Sequence, residues 1–203
     1  MARRSDHSRE EIRQMALDVA EKLVAENGTS FLTARRISSG IGYTVGSLYL
    51  VFENLDDLAL QVNARTLDRL SLHLDRTVLQ FEEPPRRCIV ELGRSYIRFA
   101  SDHSRLWNMI FEIRTPDELE LPEWYRERIL SLFRCFEHPF EKIRPDLPET
   151  RIKEAARALW SGIHGICILA RTGKLDVVGL ENVERASDLL CENFIDGWTD
   201  SAV

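Results

Sequence analysis

The sequence predicts an all-α fold, and three observations predict it. Apolar residues recur at i, i+3, i+4 and i+7 through nearly every segment. No stretch alternates apolar and polar side chains as a half-buried strand does, and Gly and Pro punctuation cuts the chain into helix-sized pieces. The first helix carries Ile12, Met15, Ala16, Val19, Ala20, Leu23 and Val24 on one face and stops at Asn27-Gly28. Two short helices, about 33–40 and 44–50, follow across Gly40-Ile41-Gly42-Tyr43. Asn54 then caps a long helix with Asp56 and Asp57 in its first turn, where carboxylates suit the positive end of the helix dipole. Leu58, Val62, Leu67, Leu70, Leu74 and Val78 carry its stripe to about Phe81, and Glu83-Pro84-Pro85 breaks it. Further helices are expected at about 85–101, 104–114, 122–143, 149–172 and 179–198. Their breaks are Asp102-His103, Thr115-Pro116-Asp117, Arg144-Pro145-Asp146-Leu147-Pro148 and Thr172-Gly173-Lys174. The expected organisation is a three-helix head, residues 1–55, joined by the long helix to an antiparallel helical body, residues 56–203.

Composition bounds the function. The 203 residues are 44% hydrophobic and 30% charged, as in a soluble globular protein. No apolar run approaches the ~18 residues that span a bilayer, and no apolar signal segment follows the basic start, so a cytoplasmic location is expected. Cys88, Cys135, Cys167 and Cys191 lie far apart without a CxxC pair, which speaks against a zinc module or a disulfide scaffold. Buried thiols are the plain reading, and a redox-sensing thiol the alternative. The net charge of -6 sits outside the head: residues 1–55 hold seven Lys/Arg and seven Asp/Glu, the remainder 20 and 26. A neutral head with local arginines still suits DNA, because phosphate contacts are local and charges are screened beyond ~8–10 Å.

Thr33 to Tyr49 carries the most information. A helix-turn-helix needs a short helix, a turn residue free to take positive φ, and a second helix whose leading end enters the major groove. Gly42 supplies the turn, Thr44 an N-cap, and Ile37, Ile41 and Leu48 the packing side; Gly46 and Ser47 keep the leading edge small. Arg35 and Arg36 fit either DNA contact or a solvated face, and Tyr43 either reaches a base or closes the turn.

Residues 9–62 resemble the N-terminal domain of the TetR family of regulators. The resemblance rests on Ile37-Ser38, Gly42, Thr44-Val45-Gly46-Ser47, Leu48-Tyr49 and Phe52 at their combined spacing. It implies a phosphate contact for Thr33, groove-facing positions for Thr44, Val45, Gly46 and Ser47, and a phosphate-contacting Tyr49. The family usually has Lys after the position of Asn54, and this chain has Leu55. A contact there falls to Asn54 and the helix N-terminus.

In the body, Ala155, Ala158, Gly162 and Gly165 fall on one narrow helix face at ~100° per residue. Together with Leu190 and Phe194 of the last helix they are the expected homodimer interface, a four-helix arrangement that resembles the TetR body. Trp160-x-x-x-His164-Gly165 is similar to the Trp–His–Gly signature of one C-terminal subgroup. Tyr96, Phe99, Trp107, Phe111, Phe133, Phe136 and His164 are the expected lining of an apolar ligand pocket, ordinary core being the plainer reading of each.

No nucleophile motif, catalytic carboxylate pair or metal-ligand cluster is present in the sequence, so no enzyme, metal or cofactor is expected. The expected function is a DNA-binding regulator acting on a pseudo-palindromic operator as a homodimer. Most directly it is a repressor released by a small apolar or amphipathic ligand. The alternatives are a TetR-like activator and a regulator controlled by a partner protein.

Overall fold

A computed structural model describes residues 7–112 and 121–200. All regular structure among them is helical: α1 (Arg9–Asn27), a 3-10 turn (Thr29–Phe31), α2 (Ala34–Ile41), α3 (Val45–Leu48), α4 (Leu55–Gln80), α5 (Pro85–Asp102), α6 (Ser104–Glu112), α7 (Glu123–Ile143), α8 (Glu149–Arg171), α9 (Lys174–Val177) and α10 (Val183–Asp200). The expected break at Thr115-Pro116-Asp117 lies outside the described residues. Packing divides the chain into two compact units, Met1–Leu67 with His103–Arg126, and Asp68–Asp102 with Glu127–Val203. The first unit thus holds the first half of α4 and all of α6 together with α1, α2 and α3.

Short-range signals set the head unit. Ser8 and Glu11 cap α1 reciprocally: Ser8 Oγ accepts from Glu11 N, and Ser8 N donates to Glu11 Oε2. The chain leaves α2 through Gly42 in the left-handed conformation, φ 74, which glycine takes without steric cost. Asn54 Oδ1 accepts from Asp57 N at 2.8 Å and opens α4. Ile12, Ala16, Leu17, Ala20 and Val24 of α1 bury against Ile37, Ile41, Leu48, Val51, Phe52, Leu58 and Val62.

Leu106 and Met109 of α6 complete this core. Asn63 of α4 donates to Met109 O at 3.3 Å, and Arg105 donates to the carbonyls of Ala25 and Glu26 at the C-terminal end of α1. A cation there satisfies carbonyls that the helix leaves without donors. α3 is shorter than its expected span. After Leu48 the backbone tightens (Leu50 N to Ser47 O, Val51 N to Leu48 O), which turns Val51 and Phe52 into the core.

In the second unit, α5, α8 and α10 pack on one another. Beside them, the C-terminal half of α4 and most of α7 run parallel, in register at heptad spacing. The rungs are Asp68 with Arg128, Asp75 with Cys135, and Glu82 with Lys142. α10 begins at Val183, not at 179, because Gly179 (φ 77) ends the preceding turn and Asn182 Oδ1 caps Arg185 N. Residues 174–177, between the expected helices 149–172 and 179–198, form the single turn α9.

Candidate nucleic-acid interface

The end of the head unit formed by α2, the turn and α3 is built from caps. Thr33 Oγ1 accepts from Arg36 N at 3.4 Å and opens α2; Thr44 Oγ1 accepts from Ser47 N at 3.2 Å and opens α3. Thr33, Arg35, Arg36, Thr44, Val45, Gly46, Tyr49 and Asn54 are all exposed, while Tyr43 and Ser47 are half-buried. Arg36 lays its guanidinium over the Phe31 ring at 3.8 Å, whereas Arg35 projects into solvent. Tyr49, at 45% exposure, is not a core aromatic, and its hydroxyl has no partner among the described residues. The ten residues thus lie on one contiguous stretch from Thr33 to Asn54 around a small-residue tip.

One neighbour escaped sequence reasoning. His7 Nδ1 lies 2.8 Å from Tyr43 Oη, with the rings edge-on at 6.1 Å. The contact joins the start of α1 to the turn before α3. Nothing local in the sequence pairs residues 36 positions apart.

The second unit holds a buried cluster of polar and aromatic groups. Tyr96, 1% exposed, has its hydroxyl 3.0 Å from His164 Nδ1. Trp160 stacks on His164 at 5.1 Å and meets Phe133 edge-on, and Phe136 meets Tyr96. Burial pushes the His164 pKa below its ordinary value, which holds the imidazole neutral. Trp160 Nε1 and His73 Nε2 are buried without a hydrogen-bond partner among the described residues. Of the seven expected pocket residues, Tyr96, Phe99, Phe133, Phe136 and His164 lie in this unit. Trp107, fully buried, and Phe111, 44% exposed, pair at 5.1 Å in the head unit.

The small-residue stripe of α8 straddles two environments. Ala155 is buried, and a Cβ added to Gly162 would come within 2.7 Å of Leu190 Cδ2 of the same chain. Leu190 and Phe194 likewise pack inside the unit, Phe194 edge-on to Phe140. Ala158 is exposed, and a Cβ on Gly165 would meet nothing within 4 Å. A face about 80° wide on a helix has one flank toward its own chain and one toward solvent, and sequence spacing cannot tell them apart.

All four cysteines are buried. Burial raises the Cys88 thiol to about 11 and those of Cys167 and Cys191 to about 12; Cys135, which donates to Asp75 at 3.0 Å, is also raised. Among the described residues no group of three His, Cys, Asp or Glu is placed to hold a metal, and no helix is long and apolar enough to cross a membrane.

Comparison with known proteins adds a family and a fold. A family model described as tetracyclin repressor-like, C-terminal domain, matches residues 89–194; it names no Trp–His–Gly subgroup. None of the curated protein sequences matches the chain. Among solved structures, a protein of unknown function from Rhodococcus sp. RHA1 superposes with a TM-score of 0.77 at 19% identity, covering 96% of this chain and 98% of that one. The transcriptional regulator FadR from Bacillus subtilis, solved in complex with stearoyl-CoA, gives 0.66 at 15% identity, covering 91% and 98%. SmeT, the repressor of the Stenotrophomonas maltophilia multidrug efflux pump SmeDEF, gives 0.59 at 21% identity, covering 95% and 90%. At these identities the likeness is one of fold.

Proposed function

The chain belongs to the tetracyclin repressor-like family, whose C-terminal model spans just over half of it, and from that premise we propose that it is a homodimeric DNA-binding regulator, a repressor released from its operator by a small apolar or amphipathic ligand. The observation that carries the DNA-binding half is the uncharged tip Thr44-Val45-Gly46-Ser47, exposed at its first three residues, on a short helix set off by the left-handed Gly42. Nothing in the packing of the head requires an exposed Val45 and Gly46, whereas a major groove admits such a tip closely. Thr33, Tyr49, Asn54 and Arg35 then fall to the phosphates on either side, where hydroxyl, amide and guanidinium donors position a protein without reading sequence.

For the ligand, the second unit supplies an aromatic interior with two polar nitrogens that have no partner among the described residues: Trp160 Nε1, beside Tyr96, Phe133 and His164, and His73 Nε2, beside Phe99. Buried polar groups without partners are costly, so an amphipathic ligand with a polar atom to pair with one of them would be held well. The stearoyl-CoA complex of FadR is a fold-level parallel for such a ligand. For the dimer, the outward flank of α8, Ala158, Gly165, Ile168 and Leu169, together with Leu189 of α10, offers apolar surface for a second copy.

The test is a mobility-shift titration on DNA upstream of the protein's own gene, repeated with a series of acyl and aromatic compounds. A specific shift that one compound reverses is the expected result. No shift on any upstream DNA overturns the DNA-binding reading. A shift that no compound alters in binding or in thermal stability overturns the ligand reading.

A further inference from the structure

The outward side chains around α3 contain no group able to make a paired hydrogen bond to a base edge. From Gly40 to Phe52 the chain has no charged residue, no Asn and no Gln. Guanine is read in the major groove by Arg or Lys, and adenine by Asn or Gln. The polar atoms that remain are the hydroxyls of Tyr43, Thr44, Ser47 and Tyr49. Three of these are engaged within the chain. Tyr43 Oη lies against His7 Nδ1, and Thr44 Oγ1 accepts from Ser47 N and lies 3.0 Å from Ser47 Oγ.

What α3 does present is apolar. Val45 is 38% exposed, and Gly46 beside it has no side chain to hold the backbone off a partner. Leu50 is exposed as well, but it lies past the end of the helix. The C5-methyl of thymine is the major-groove feature that an apolar side chain recognises, and no other base carries it.

We propose that Val45 is the specificity-determining residue of α3 and reads thymine, its methyls packing on the thymine C5-methyl. Operator half-sites are then told apart by methyl-bearing A·T pairs, with no guanine read by α3. The inference rests on the DNA-binding reading above and sharpens it to a base.

The experiment begins with the full chain selecting duplexes from a randomised pool. Each thymine of the enriched sequence is then replaced in turn by uracil, which keeps every hydrogen-bonding atom and removes only the methyl. Affinities are measured for the wild type and for Val45→Ala. A single uracil at the contacted position of one half-site is expected to weaken wild-type binding about fourfold, the worth of one buried methyl. Val45→Ala, which removes the contact in both half-sites, is expected to bind the thymine duplex roughly 15-fold less tightly and to stop distinguishing thymine from uracil. Equal wild-type affinity for thymine and uracil duplexes at every position overturns the proposal, and so does a uracil penalty that persists undiminished in Val45→Ala. A pool that yields no enriched sequence overturns the underlying DNA-binding reading instead.

Discussion

In the head unit the polar groups of interest face outward: Thr33, Arg35, Thr44, Tyr49 and Asn54 are exposed over a closed apolar core of Ile37, Leu48, Phe52 and Leu58. In the second unit they face inward, with Tyr96 and His164 paired, Thr77 and Ser95 hydrogen-bonded at 2.8 Å, and Trp160 Nε1 buried without a partner among the described residues. The difference separates two kinds of recognition. An outward polar edge on a rigid core suits a large, hydrated partner such as a duplex, which is positioned by many weak contacts. An inward polar set in an aromatic interior suits a small ligand, which is held by burial and oriented by few contacts.

The contrast breaks most readily at the core that supports the outward edge. Leu48, 1% exposed, joins α3 to the rest of the head. Leu48→Ala is expected to cost about 2–5 kcal/mol and to abolish DNA binding, read by denaturant unfolding and mobility shift; wild-type stability would contradict the packing described here. A smaller effect separates the two flanks of α8. Gly162→Leu drives a side chain into Leu190 and should cost the protomer about 1–3 kcal/mol. Gly165→Leu meets open space, so it should leave the melting temperature of the protomer intact and weaken association, as read by sedimentation. Loss of protomer stability in Gly165→Leu alone would reverse the assignment.

A weaker test addresses the inward set. Tyr96→Phe removes the hydrogen bond to His164, worth about 1 kcal/mol. The folded state holds the His164 pKa below its ordinary 6.5, so below that pH the unfolded chain binds the proton that the folded chain refuses. Stability is therefore present above pH 6.5 and falls as the pH drops from 6.5 toward the lower folded pKa. His164→Gln should flatten that part of the profile, and an unchanged slope would remove His164 from the account. The smallest expected effect is none at all. With all four thiols raised by burial, a peroxide challenge should leave DNA affinity unchanged, whereas release by oxidant would restore a redox role.

Local chemistry made the head readable from residues alone. The Thr44 and Asn54 caps and the Gly42 turn act within four positions of themselves, and each is where its residue type places it; Ser8 and Thr33 are caps of the same kind that the sequence reading did not assign. Asn182 is the same kind of signal, yet Leu180 continued an apolar stripe past it and drew the start of α10 too early. Long-range facts were not readable. The His7 and Tyr43 contact, the placement of α6 with Trp107 in the head unit, and the parallel rungs of α4 and α7 all depend on which helix meets which. The α8 stripe shows why: its residues were identified correctly as small, but Gly162 serves its own chain's Leu190 while Gly165 faces outward.

The central claim is that the edge from Thr33 to Asn54 binds DNA specifically, and Tyr49 tests it most directly. Its exposed hydroxyl has no partner among the described residues and lies where a phosphate is expected. Operator affinity should be measured by fluorescence anisotropy against excess unrelated duplex, for the wild type and for Tyr49→Phe. The account predicts wild-type binding that survives the competitor, with Tyr49→Phe weaker by about 1.5–3 kcal/mol at unchanged melting temperature. Binding abolished by unrelated DNA, or a Tyr49→Phe protein that binds as tightly as wild type, would contradict it.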